Sequence, residues 1–263
     1  MTLIQLPNLH DIKIVAFDLD DTLAPSKSPL PDSMAELLRD LLAVREVLII
    51  SGGRFEQFTK QVLDRLPDDS DLSQLHLMPT CGTRYLKYLD GQWQEIYFHA
   101  LSAAEKTSAI TALEKQAKRL GLWEADDIVN GERIEDRGSQ ITYSALGQAA
   151  SVADKKAWDP SGEKRAKLRD AVQAELPNLE VRAGGSTSID ITRMGIDKAY
   201  GMKALRDVTG VGLDEMLFIG DRLMPGGNDY PVAELGVDCH QVADERETEA
   251  YLKKLIPLLK ETR

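Results

Sequence analysis

The chain has 263 residues and a formal net charge of −11, with 43% hydrophobic and 29% charged residues. This length allows one large domain or two smaller ones, and this composition excludes a wholly disordered chain. The negative charge argues against a general affinity for nucleic acid or anionic membranes. The apolar stretches fall far short of the about 20 residues that span a membrane. Because Cys81 and Cys239 form neither a redox pair by spacing nor a disulfide framework, we expect a cytoplasmic protein.

The N-terminal part of the chain alternates between apolar runs and amphipathic patterns. Residues 12–17 and 47–50 are apolar enough to form strands that are covered on both faces. Asp32 is a candidate N-cap for a helix that lies between these strands, and a second helical pattern starts at Phe55. This alternation of strands and helices predicts a parallel sheet.

The middle of the chain, residues 85–190, has a different pattern. Strand candidates alternate there with two helical stretches, and Asp90-Gly91 between the first two strands indicates a hairpin. Ser102 is a candidate N-cap for the first helix, and Gly121 is its expected end. The second helix is expected at about residues 161–176. We predict that 85–190 is an α+β unit inserted into an α/β domain formed by 1–84 and 191–263.

The last part of the chain returns to the first pattern. Asp197 is a candidate N-cap for a helix, and residues 216–219 form another apolar strand candidate. Both ends of the chain are therefore expected to build one parallel α/β sheet.

Two carboxylates follow the first predicted strand. Asp18 and Asp20 lie in the segment Asp18-Leu19-Asp20-Asp21-Thr22. Ligands of open parallel sheets bind outside the carboxyl ends of the strands, so this position is suitable for a site. Two close carboxylates repel each other unless they share a cation or a proton, and a hard divalent cation such as Mg²⁺ suits oxygen ligands.

Other polar residues follow the remaining predicted strands and begin one helix. Ser51 and Gly52 follow the second strand, where a hydroxyl and backbone amides can bind phosphate. Lys198 lies at the start of the helix after Asp197. The last strand is followed by three oxygen donors, which are Asp221, Asn228 and Asp229.

The order of these four groups resembles the haloacid dehalogenase superfamily. The superfamily signature is D-x-D-x-T, then Ser or Thr after a strand, then Lys, then an acidic motif, and the match spans nearly the whole chain. The stretches 50–56, 184–190 and 220–229 are most similar to eukaryotic-type phosphomannomutases and related sugar phosphatases. The resemblance implies a Rossmann-like core with an inserted α+β cap that determines substrate specificity, and it allows a homodimer formed through the cap.

The resemblance also implies a role for each matching residue. Asp18 would be the nucleophile, Asp20 the general acid/base, and Ser51, Gly52 and Lys198 would bind the phosphoryl oxygens. A Mg²⁺ ion would be held by residues of the first and last motifs, which are Asp18, Asp20, Asp221, Asn228 and Asp229. The sugar phosphate would be bound by Lys27 and by five residues of the cap, which are Arg137, Gln148, Lys155, Ser188 and Asp190.

Three of these positions depart from the mutase pattern. Gln148, Lys155 and Lys27 stand where mutases have arginine, and neither Gln nor Lys binds phosphate with the bidentate fork of Arg. A mutase must hold a bisphosphate in two orientations, so a weaker clamp favours transfer to water. We therefore predict a Mg²⁺-dependent sugar-phosphate phosphatase. The alternatives are a phosphomannomutase, which interconverts mannose 6-phosphate and mannose 1-phosphate, and a phosphate-binding protein without turnover.

Overall fold

The computed structural model describes residues 11–262. The strands are β1 Ile14–Phe17, β2 Glu46–Ile50, β3 Leu75–Met78, β4 Arg84–Leu89, β5 Gln92–Phe98, β6 Ile134–Asp136, β7 Ile141–Ser144, β8 Leu179–Ala183, β9 Ser188–Arg193, β10 Met216–Gly220 and β11 Asp238–Gln241. The α-helices are α1 Asp32–Leu42, α2 Phe55–Phe58, α3 Ala103–Arg119, α4 Val152–Trp158, α5 Glu163–Gln173, α6 Lys198–Thr209, α7 Tyr230–Glu234 and α8 Glu245–Glu261. Within the described residues, no helix is both long and apolar enough to cross a membrane.

The chain divides into two compact units. Unit 1 comprises the chain up to Phe98 and from Asp197 onwards, and unit 2 is His99–Ile196. Unit 1 contains a seven-stranded sheet in the order β11-β10-β1-β2-β3-β4-β5. The first five strands of this order run parallel, and β4 and β5 are antiparallel to their neighbours. The predicted α/β class with a parallel sheet is confirmed.

The central strand β1 shows why its sequence is apolar throughout. Val15 and Phe17 belong to the core cluster that includes α1 and α8, whereas Ile14 and Ala16 belong to the cluster that includes α6. All four residues are buried, because successive side chains of a strand point to opposite faces and both faces are covered.

Two of the three predicted helix N-caps, Ser102 and Asp197, are confirmed. Asp197 accepts a hydrogen bond from the backbone N–H of Tyr200 (2.9 Å), and Ser102 forms a capping box with Glu105 at the start of α3. The cap predicted for α1 was wrong: Pro31 occupies the cap position, and Asp32 is the first helical residue. Asp32 instead accepts a hydrogen bond from Arg65.

Unit 2 contains an antiparallel sheet in the order β6-β7-β9-β8. Ile141 and Tyr143 of β7 and Ile189 and Ile191 of β9 share one buried apolar cluster with α3 and α5. The alternate residues of these strands are polar, and they pair across the sheet as Thr142 with Asp190 and Ser144 with Ser188. The sheet therefore has one apolar face and one polar face.

The boundaries between the two units differ from the predicted boundaries, which lay at 84/85 and 190/191. Asp90 and Gly91 have positive φ angles of 52° and 79°, as expected for the central residues of a type I′ hairpin turn. However, this hairpin joins β4 and β5, and β4 pairs with β3 of the seven-stranded sheet. The unit boundary therefore follows the hairpin. At the other end, β9 continues to Arg193.

Candidate active site

The carboxyl ends of three neighbouring parallel strands carry the predicted unit 1 site. Asp18 follows β1, Ser51 follows β2 and Asp221 follows β10, and β1 lies between the other two strands. Phe17 pairs with Ile219 on one side and with Ile49 on the other, so the three strands end at the same level. Distant sequence positions therefore meet at one edge of the sheet, as is usual for ligand sites in such sheets.

Lys198 joins the first and last motifs. Its Nζ lies 2.7 Å from Oδ1 of Asp18 and 2.5 Å from Oδ1 of Asp229, and only 1% of the side chain is exposed. The Asp197 cap starts α6 at Lys198 and so sets the position of the ammonium group. Asp229 is oriented further by the backbone N–H of Arg222, which donates to its Oδ2 (3.0 Å).

Burial sets the protonation equilibria of this cluster. Burial raises the pKa of Asp18 to about 7; Lys198 lowers it, and Asp229 raises it. Burial also raises the pKa of Asp221, and Asp229 acts in the same direction. Burial lowers the pKa of Lys198, but the carboxylates of Asp18 and Asp229 outweigh it, so the pKa lies above its ordinary value. One ammonium group is thus surrounded by more negative charge than it can balance.

This excess negative charge fits a divalent cation. Asp18, Asp221 and Asp229 each offer a carboxylate oxygen within 4.8 Å of the others. Oδ1 of Asp221 is buried, and within the described part of the chain it has no hydrogen-bond partner. A buried, unpaired carboxylate oxygen is costly unless a cation or donor reaches it, and hard cations prefer such ligands. The donor set is therefore suitable for Mg²⁺.

Asp20 is held by three hydrogen-bond donors. The backbone N–H of Lys27 donates to Oδ1 (2.6 Å), as does the side-chain amide of Gln61 (3.3 Å), and the amide of Gln57 donates to Oδ2 (3.2 Å). Neither glutamine was predicted from the sequence. Their spacing of four residues in the helix after the Ser51 loop was the signal available.

The remaining predicted residues of unit 1 differ in exposure. Ser51 is 4% exposed, and its hydroxyl accepts a hydrogen bond from the backbone N–H of Gly53 (3.2 Å). Gly52 lies between them in the turn after β2. The Lys27 side chain and Asn228 are both exposed. Asn228 directly precedes Asp229 in the loop after β10.

Two of the predicted substrate residues of unit 2 form polar contacts with buried side chains. The guanidinium of Arg137 lies 2.7 Å from Oε2 of Glu135, whose side chain is 6% exposed. The hydroxyl of Thr142 donates to Oδ1 of Asp190 (2.7 Å). Thr142 was not predicted because its contact with Asp190 depends on the pairing of β7 with β9. Glu135 lies two residues before Arg137, so the two-residue period of a strand was the signal available.

The other predicted residues of unit 2 lie in two places. Ser188 begins β9, and its backbone carbonyl accepts a hydrogen bond from the N–H of Gly184 (2.9 Å). Gln148 precedes α4, which contains Lys155, and the Lys155 ammonium donates to the Gln148 carbonyl (2.7 Å). The structure thus places Gln148 and Lys155 together, seven residues apart in the chain.

The comparisons with known proteins assign the family. The model of the eukaryotic phosphomannomutase family matches residues 126–258, which is just over half of the chain. The chain belongs to this family. A phosphomannomutase of Encephalitozoon cuniculi (strain GB-M1) is 26% identical over 245 residues, covering 91% of each chain.

Solved structures agree on the fold. A truncated IMP-nucleotidase of Plasmodium falciparum, solved with IMP bound, superposes with a TM-score of 0.69 at 16% identity, covering 94% of this chain and 68% of that one. A haloacid dehalogenase-like hydrolase from Bacteroides thetaiotaomicron gives a TM-score of 0.61 at 15% identity, covering 93% and 99%. The Rossmann-like core with a cap, and the resemblance to the haloacid dehalogenase superfamily, are confirmed. That the protein is an enzyme is supported by its membership of the phosphomannomutase family.

The prediction of a sugar-phosphate phosphatase was wrong. The family model and the E. cuniculi relative are phosphomannomutases, which favours the isomerase. The error came from treating Gln148, Lys155 and Lys27 as sufficient evidence against a mutase. Lys155 and Lys27 keep the positive charge of the arginine that each replaces, so only Gln148 removes a charge from the clamp.

Proposed function

We propose that the protein is a phosphomannomutase that interconverts mannose 6-phosphate and mannose 1-phosphate. The observation that carries the proposal is the match of residues 126–258 to the phosphomannomutase family. The matched range includes the five predicted sugar-binding positions of unit 2 and also Lys198, Asp221 and Asp229. The buried cluster of Asp18, Lys198 and Asp229 supports phosphoryl transfer. A mutase returns the phosphoryl group to a sugar hydroxyl, so sugar phosphate is both substrate and product.

Asp18 is the proposed nucleophile. Its Oδ2 would attack phosphorus and form an aspartyl-phosphate, while Oδ1 stays against Lys198 and accepts from the backbone N–H of Leu19 (2.6 Å). Lys198, together with the hydroxyl of Ser51 and the turn at Gly52, would bind the phosphoryl oxygens. Such fixed donors stabilise the charge of the transferring group without reorganising during the reaction.

Asp20 is the proposed general acid/base. It would protonate the oxygen that leaves phosphorus when Asp18 is phosphorylated, and it would then take the proton of the sugar hydroxyl that accepts the phosphoryl group. The same carboxylate serves both half-reactions because the acceptor oxygen of the second occupies the place of the leaving oxygen of the first.

The proposed metal is Mg²⁺. Asp18, the backbone carbonyl of Asp20, and Asp221 would hold it, with Asn228 and Asp229 supporting the loop after β10. When bound, the ion would offset the charge of the carboxylates and of the phosphoryl group. The unpaired Oδ1 of Asp221 supports this assignment.

Unit 2 is proposed to provide the specificity for the sugar phosphate. Arg137, Ser188 and Asp190 lie on or beside the antiparallel sheet, whereas Gln148 precedes α4 and Lys155 lies in its last turn. We propose that these residues bind the part of the substrate that is not reacting. Lys27 of unit 1 stays a predicted substrate-binding residue. Dimerisation through unit 2 and a cytoplasmic location stay predictions.

The decisive experiment compares two products from the same reaction. Purified protein with Mg²⁺, mannose 1-phosphate and a catalytic amount of hexose bisphosphate is assayed for mannose 6-phosphate and for free phosphate. We expect isomerisation to exceed phosphate release. Free phosphate as the main product would contradict the mutase.

The matched control is Asp18→Asn, because an amide cannot attack phosphorus. We expect its turnover to fall at least about a hundredfold, which corresponds to roughly 2.7 kcal/mol of barrier, while the protein remains folded. Full activity of this variant would mean that Asp18 is not the nucleophile.

A further inference from the structure

The carboxylate of Asp20 is hydrogen-bonded at both oxygens by groups of this chain. Oδ2 accepts from the Gln57 amide (3.2 Å), and Oδ1 accepts from the Gln61 amide (3.3 Å) and from the backbone N–H of Lys27 (2.6 Å). Because each oxygen has its own donor, rotation of the carboxylate breaks at least one of these bonds. The side chain is thus fixed in one orientation rather than merely placed near the site.

The helix that carries both glutamines is irregular. Helix α2 ends at Phe58, and residues Thr59–Leu63 form a π-turn in which the N–H of Asp64 bonds to the carbonyl of Thr59 (2.9 Å). π-turns are rare, and they are found frequently at functional sites. Gln61 lies inside this turn and is 3% exposed.

Each glutamine is itself held in place. The amide of Gln61 also donates to the backbone carbonyl of Ser28 (2.7 Å), which fixes its rotamer. Gln57 packs against Gly53, where an added Cβ would lie 2.2 Å from Oε1 of Gln57. A larger residue at position 53 would therefore displace the Gln57 amide from its present position.

We propose that Gln57 and Gln61 are positioning residues for Asp20 in phosphoryl transfer. They hold the carboxylate so that one oxygen stays directed at the leaving or attacking oxygen of the substrate. This inference rests on the proposed role of Asp20 as general acid/base. General acid/base catalysis depends on hydrogen-bond reach to the reacting oxygen, so loss of orientation reduces the rate without removing the acid.

The test uses the leaving group to isolate the contribution of the acid. Single-turnover phosphorylation of Asp18 is measured with mannose 1-phosphate and with p-nitrophenyl phosphate. The sugar alkoxide needs a proton to leave, whereas p-nitrophenolate needs little help. General acid/base catalysis contributes about 10²- to 10⁴-fold, so we expect Gln57→Ala to slow the sugar reaction by about tenfold to a hundredfold. We expect the p-nitrophenyl reaction to change by less than about threefold, which is a small part of that contribution.

Two further variants make the result specific. Gln57→Glu keeps the size of the side chain but removes the amide donor, so it should show the same selective loss. Lys60→Ala changes an exposed residue of the same helix and should leave both rates unchanged. Gln57 is the main target because Gln61 is fully packed, and its replacement is more harmful to folding.

The outcomes separate this inference from the proposed function. Equal slowing of both substrates by Gln57→Ala, or no slowing of either, would overturn the positioning role. Absence of isomerisation by the unaltered protein would overturn the mutase. That result would not contradict the positioning role if Gln57→Ala still slows phosphorylation of Asp18 by mannose 1-phosphate more than phosphorylation by p-nitrophenyl phosphate.

Discussion

The charged groups of the two units are arranged in opposite ways. In unit 1, three carboxylates (Asp18, Asp221 and Asp229) lie close together with Lys198 as their partner. In unit 2, the predicted substrate residue Arg137 forms an ion pair of opposite charges with Glu135. Both groups of residues are largely buried, so exposure to solvent does not account for the difference.

This difference in charge indicates which kind of ligand each group of residues can bind. Buried charges without balance are costly, so the excess of carboxylates in unit 1 points to a cation that the chain itself does not provide. The ion pair of Arg137 and Glu135 has no excess charge, and it holds the Arg137 fork in a defined direction. We therefore expect unit 1 to support metal-assisted chemistry and unit 2 to orient the substrate.

The largest expected effect comes from removing the positive charge of Lys198 in unit 1. Lys198→Met leaves Asp18 and Asp229 buried without a positive partner, which should cost about 3–5 kcal/mol of unfolding free energy. Turnover should fall at least about a thousandfold, because the phosphoryl oxygens also lose a fixed donor. Urea denaturation in EDTA measures the stability, and the isomerisation assay measures the turnover.

A double variant tests whether charge imbalance is the cause. Lys198→Met with Asp229→Asn removes one of the unbalanced carboxylates, so it should recover part of the stability and none of the activity. Equal stability of the single and double variants would show that packing, rather than charge, determines the loss.

A smaller effect is expected at the proposed metal ligand. Asp221→Asn keeps the shape of the side chain but removes its charge, so the Mg²⁺ concentration for half-maximal activity should rise by about tenfold or more. Saturating Mg²⁺ should restore most of the rate. An unchanged Mg²⁺ titration would remove Asp221 from the metal site.

The smallest effect is expected in unit 2, where the pair is balanced. Arg137→Lys loses the bidentate fork, and KM for mannose 1-phosphate should rise about tenfold, equivalent to about 1.4 kcal/mol, with kcat little changed. Glu135→Gln weakens the ion pair that holds the Arg137 fork in its direction, so KM should rise by a smaller factor, with kcat again little changed. Steady-state kinetics of both variants check this order, and an unchanged KM for Arg137→Lys would remove Arg137 from the substrate site.

Much of the fold could be predicted because its signals are local. The buried strands at 12–17, 47–50 and 216–219, the caps Ser102 and Asp197, and the Asp90-Gly91 turn each depend on a few neighbouring residues. The sequence did not show which sheet the hairpin joins, since β4 and β5 have the same local pattern in either unit. The helix α4 was also missed.

The sequence by itself determined the residue types and the order of the chemistry, from Asp18 and Asp20 to Ser51, Lys198 and Asp221, because each follows a strand or starts a helix with its own local signal. Only the tertiary structure decided which of them share one centre. The pairing of β1 with both β2 and β10 and the cap at Asp197 bring Lys198 between Asp18 and Asp229. It also decided that Gln57 and Gln61 hold Asp20. Their spacing of four residues places both on one face of a helix, but the loop that this face contacts lies about forty residues earlier, and no local pattern links the two.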